Sequence, residues 1–116
     1  MKNRLFIIAV VLLCSKGITY TQVALDWIQQ IGSAGDDLGY AIALDDTGNV
    51  YTTGYFSGTA DFDPGPGTYN LSSCGYNDGF ISKLDANGNL IWARQVCGSS
   101  NDYGRKIAVD SSGNVY

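Results

Sequence analysis

The chain has no histidine and, with all eleven of its acids aspartate, no glutamate. It also holds only two prolines and one methionine. Without histidine it lacks the usual general base, the usual base of a nucleophilic triad and the commonest zinc ligand. Without glutamate, and with 15 glycines in 116 residues, it is poor in helix formers and rich in turn formers. The composition therefore points to strands joined by tight turns. No apolar run reaches the ~20 residues that a membrane-spanning helix needs. Basic charge is also scarce, with a formal net charge of −4 that leaves no surface for nucleic acid.

The longest apolar run is at the start. Lys2 and Arg4 precede nine uninterrupted apolar residues, Leu5 to Leu13. A basic start followed by a short apolar core is the pattern of a secretory signal peptide, expected over residues 1–21. Small residues offer cleavage after Gly17 or after Thr21, where Gln22 would begin the mature chain. Acylation at Cys14 is the rival reading, but Val11, Leu12 and Leu13 fit a lipidation site poorly. The expected location is thus secreted or cell-surface. Removing 1–21 leaves Lys83, Arg94, Arg105 and Lys106 against eleven Asp, a net charge of −7. Such a surface attracts cations and repels nucleic acid. Two cysteines would remain, Cys74 and Cys97, flanking a predicted hairpin. In an oxidising compartment they are candidates for a disulfide, with two independent thiols as the alternative.

The chain repeats itself at an offset of 65. Residues 27–51 lie over 92–116 without a gap, and 11 of 25 positions are identical. Trp27/Trp92, Asp37/Asp102, Gly39/Gly104 and Tyr51/Tyr116 are among them. Self-similarity at a long period marks a repeat architecture. A shorter echo, Asp-x-x-Gly-Asn-apolar, occurs at 45–50, 85–90 and 110–115. Aspartate opens such a turn by accepting backbone N–H bonds, and glycine supplies the positive φ near its end. Each echo lies between two strand-like runs, so it reads as a hairpin loop.

Strands are predicted at 40–44, 50–53, 80–84 and 90–96. The first is apolar on both sides and reads as covered on both faces. The last pair carries Lys83 and Arg94 and is expected nearer an edge. Two hairpins make a four-stranded antiparallel meander, the unit of a β-propeller. The connection from Gly54 to Gly79 contains both prolines and is long enough to be functional or to hold a ladder of its own.

Three stretches carry a family resemblance: 39–54, Ala60-Asp61-Phe62-Asp63-Pro64-Gly65, and 80–93. They resemble the SBBP-type β-propeller repeat found in secreted, multi-repeat bacterial proteins, often of Bacteroidetes. The resemblance covers essentially all of 25–116. It implies an all-β fold of propeller blades and an exported or cell-surface protein, with no catalytic residues to carry over. One complete blade is expected at about 39–96, within a partial repeat region at 22–116. A ring of four such units would need about 260 residues, so the sequence reads as part of a longer protein with neighbouring blades. Residues 25–31 align with the last strand of a blade and are expected to complete one.

Candidate chemistry is sparse. Asp61 and Asp63 sit at i and i+2 of an extended loop, where two carboxylates project to one side and suit Ca²⁺. The full Asp-x-Asp-x-Asp-Gly spacing is absent, and Pro64 also suits an ordinary turn. No other cofactor is indicated. Asp36-Asp37, echoed by Asn101-Asp102, reads as hydrogen bonding where the chain enters a blade. Aspartate pairs can serve glycoside hydrolysis, but Asp85 to Trp92 does not match the Asp-box turn of glycan-active propellers. Trp27, Trp92 and the tyrosines can stack on sugars, although Trp92 recurs at the blade period as core residues do. The leading expectation is a non-enzymatic secreted scaffold that binds protein or glycan. The alternative is the N-terminal part of a larger secreted hydrolase with its catalytic residues beyond Tyr116.

Overall fold

The computed structural model describes residues 7–9 and 26–116. Apart from Ile7–Ala9, the expected leader lies outside the described residues. Ile7–Ala9 forms strand β1, which pairs antiparallel with β2, Ile28–Gln30. The other strands are β3 (Leu38–Leu44), β4 (Val50–Phe56), β5 (Thr59–Asp61), β6 (Asn70–Ser72), β7 (Asp78–Leu84) and β8 (Leu90–Val96). The described residues contain no helix, and hence none long and apolar enough to cross a membrane. The fold is all-β, a partial β-propeller built on one four-stranded blade in the order β3-β4-β7-β8.

Both hairpins of the blade close through the repeated turn. In the first, Asp45 Oδ1 accepts the backbone N–H of Thr47 at 3.0 Å and of Asn49 at 2.9 Å. The Gly48 N–H donates to the Asp45 carbonyl at 3.0 Å, and Asp45 N–H donates to the Asn49 carbonyl at 3.1 Å. This path needs a left-handed residue, and Gly48, Gly88 and Gly113 hold φ at +83°, +83° and +79°. The third turn forms the same bonds around Asp110, where Val109 bridges Val115.

The long connection holds a ladder of its own, β5 against β6. Its Phe62 completes a triplet of rings, 5.3 Å from Phe56 and 5.0 Å from Phe80 between centroids, both edge-on. Val50, Phe56 and Phe80 present the blade's side of this core, and Ile31, Ala60 and Phe62 cover it. Full burial of a Phe side chain contributes about 2 kcal/mol, so this triplet anchors the connection to the sheet.

Segments of the flanking units lie on the two faces of the blade. On the core face, Gly32 and Asp61 exchange two backbone bonds, and the Trp27 indole N–H donates to the Ala86 carbonyl at 2.9 Å. On the opposite face, Gly104 N–H donates to the Gly54 carbonyl at 3.0 Å, and Tyr103 meets Tyr55 edge-on.

Two expectations change. β3 is an edge strand, and its Leu38, Tyr40, Ile42 and Leu44 are all exposed by more than a third. Its apolar composition matches a strand with neighbours, but no further strand pairs with it among the described residues. Of the last hairpin, β8 is an edge as predicted, whereas β7 is central. Lys83 is accommodated there because its long stem carries the ammonium over the Tyr51 ring, 4.7 Å from the centroid.

Candidate functional site

The two ends of the blade differ in kind. One end is made of the repeated turns. At Asp45, burial works against the charge, but bonds from Asn49 and Thr47 outweigh it and hold the carboxyl well below the usual carboxylate range. Asp85 is lowered mainly by the side chain of Asn89, and Asp110 by that of Asn114. The Lys83 ammonium is held above its ordinary pKa, first by Tyr51, over whose ring it lies, and then by Asp45, whose Oδ2 lies 3.5 Å away. These carboxylates are engaged in turn closure, which leaves this end structural.

The other end gathers the long connection and the segments that lead into β3, β7 and the next unit. Asp37 accepts the Ser33 N–H at 2.6 Å and the Ser33 hydroxyl at 2.9 Å, and Asp78 accepts the Cys74 N–H at 2.8 Å. Each thus ties the backbone four residues upstream. Asn101 Oδ1 accepts the Asn77 N–H at 3.2 Å, which links the next unit to the same corner. Cys74 and Cys97 are joined by a disulfide with Cα atoms 5.8 Å apart. One carboxylate oxygen of the buried Asp78 lies within 4.8 Å of both sulfurs, which brings three metal-type ligand atoms together among the described residues. Both sulfurs are committed to each other, so the grouping offers no thiolates to a metal.

Asp61 and Asp63 act as turn acceptors. Asp61 Oδ1 receives the N–H groups of Asp63 at 3.0 Å and Tyr69 at 2.9 Å, and Asp63 Oδ1 receives Gly65 N–H at 2.8 Å. Two carboxylates, each with one oxygen so engaged, fall short of the six to eight oxygens that Ca²⁺ takes. A cation here would need carbonyl and water ligands as well.

An aromatic group at this end is not apparent from the sequence. Tyr55 stands between Tyr40, at 5.9 Å and tilted, and Tyr103, at 5.1 Å and edge-on. The Arg105 guanidinium lies over both outer rings, 4.7 Å from the Tyr40 centroid and 5.1 Å from that of Tyr103. The repeat marks Tyr40 and Arg105, 65 apart, as one position in successive units, but carries no sign that the two meet.

The pattern of the SBBP beta-propeller repeat matches residues 26–62 and 91–116, more than half of the chain. The two matches start 65 residues apart, at the period of the internal repeat. The chain belongs to the SBBP beta-propeller repeat family. It is also similar to an uncharacterized WD repeat-containing protein of Acanthamoeba polyphaga mimivirus, at 28% identity over 116 residues. That alignment covers 86% of this chain and 8% of the viral protein, so the SBBP chain spans a small part of its relative's length. No solved structure matches it.

Proposed function

We propose that this SBBP chain is an exported, non-enzymatic module that binds protein or glycan at the loop-bearing end of its blade. The observation that carries the reading is the contrast between the ends. One is closed by two copies of a single turn, which the next unit repeats, whereas the other collects the long connection, the disulfide and an exposed Tyr–Arg group. Rigid strands that hold irregular loops at one end are a common basis for recognition. Neighbouring repeats of a longer chain would cover the exposed Ile42 and Leu44 of β3.

Binding is tested by probing the chain against arrays of glycans and secreted proteins. Substitution of Tyr55 at the loop end should abolish retention, and substitution of Thr47 at the turn end should leave it intact. Equal effects of both would overturn the reading. Export is tested separately by N-terminal sequencing of protein recovered outside the cell, which should begin at Ile18 or Gln22. An intact Met1 would overturn export.

A further inference from the structure

We propose that Tyr40, Tyr55, Tyr103 and Arg105 form a subsite for a uronic acid unit of a glycan. This rests on the binding-module reading and names the ligand. The guanidinium of Arg105 is stacked on two tyrosine faces, at 4.7 and 5.1 Å. Stacking of this kind fixes the plane of the group while leaving its N–H edge available. Among the described residues Arg105 makes no ion pair and no side-chain hydrogen bond, and the ion pair present there is Lys83 with Asp45. A pre-oriented guanidinium without an acid, in a chain with eleven aspartates, is set to receive a carboxylate from outside. The planar fork takes such a group through two parallel bonds.

The rings supply the second half of the recognition. Tyr40 and Tyr103 are 39% and 38% exposed, so ring area remains free beside the charge. A sugar ring has an apolar C–H face that covers such a surface, and the tyrosine hydroxyls can bond its oxygens. A uronic acid carries both features on one six-membered ring, with the carboxylate at its margin. The rest of the molecule narrows the choice further. A net charge of −7 over residues 22–116 repels heavily sulfated chains, with several charges per sugar, more strongly than uronates with one. Tyr40 and Arg105 come from equivalent positions of successive units, so the subsite lies across a junction that the repeat itself creates.

The test is calorimetric titration of the full chain with trigalacturonate and with its carboxyl-reduced, neutral counterpart. Trigalacturonate should bind at least about tenfold more tightly, because the charge-assisted fork is lost with the carboxylate. Arg105→Lys keeps the charge but not the fork and should weaken trigalacturonate binding by about tenfold, with the neutral sugar unchanged. Tyr40→Ala should weaken both sugars. Melting curves of both variants, matched to the parent, show that the blade is folded. Equal binding of the two sugars, or full affinity in Arg105→Lys, would overturn the assignment. Binding on the protein and glycan arrays without binding of trigalacturonate overturns the uronate subsite and leaves the module reading standing. Silence on every array overturns both.

Discussion

Asn49 donates its side-chain amide to Oδ2 of Asp45 at 2.8 Å, and the same bond closes Asp85–Asn89 at 2.9 Å and Asp110–Asn114 at 2.8 Å. Backbone and side chain of one residue are thus held by one aspartate, three times in the chain. Tyr51 adds its hydroxyl to Asp45 at 3.2 Å, and Tyr116 adds the equivalent bond to Asp110 at 3.2 Å. The acidity of the sequence is in this part structural.

The turns make stability depend on pH with a definite sign. The three carboxylates are held below their ordinary value in the folded chain, so in acid the unfolded chain binds more protons. Their contribution is fully present above about pH 4, the ordinary aspartate value, and is lost as pH falls through the lower folded values. The melting temperature should therefore fall steadily from about pH 4 downward. Asp45→Asn should lower it at pH 7 more than Asp85→Asn does, because Asp45 also faces Lys83. Thermal melts across the acid range check both statements, and a flat profile in the parent chain would refute them.

Much of this was legible because the turn chemistry is local. Asp-x-x-Gly-Asn states its own φ and its own acceptors, so the hairpins and the period of 65 follow from the residues alone. The ladder at Thr59–Asp61 and Asn70–Ser72 is too short for a pattern of period two to show, and only the length of the connection pointed to it. The exposure of β3 was not legible, since Leu38, Tyr40, Ile42 and Leu44 record that the strand expects a neighbour but not whether one is present. Nor was the Tyr–Arg group, because its members lie on β3, β4 and the next unit and meet only once the chain crosses the blade.

The disulfide should hold the loop end to the last strand. Cys74 and Cys97 are separated by 23 residues, a span for which a cross-link restricts the unfolded chain by about 3 kcal/mol. Reduction, or the double change Cys74→Ala with Cys97→Ala, should lower unfolding free energy by about that amount. Urea titration of oxidised and reduced protein measures it. Because Val50 and Phe56 of β4 and Phe80 of β7 keep their core contacts, the transition should remain cooperative in the reduced form.

Gly54 marks the closest approach of two strands. A Cβ there would overlap the Leu38 carbonyl oxygen and press on the Gly39 backbone, neither of which is the end of a flexible side chain. Gly54→Ala should therefore cost about 3 kcal/mol, at the upper end of overpacking effects. The register slip between Gly39 and Ala41 shows that β3 already bends at this point. Circular dichroism with a denaturant titration reads the loss, and a variant as stable as the parent would show that β3 can move away.

The Asp61 loop separates a turn from an ion site by one substitution. Asparagine keeps an Oδ1 that accepts from Asp63 and Tyr69 as Asp61 does, but it removes the charge a cation needs. A loop held by hydrogen bonds alone predicts that Asp61→Asn melts close to the parent, with Asp61→Ala well below both. It also predicts that calcium and a chelator leave the parent's melting temperature unchanged. A calcium-dependent rise that disappears in Asp61→Asn would instead place a cation between Asp61 and Asp63. In that case the unengaged Oδ2 atoms become its first ligands, and carbonyl oxygens of the loop the next.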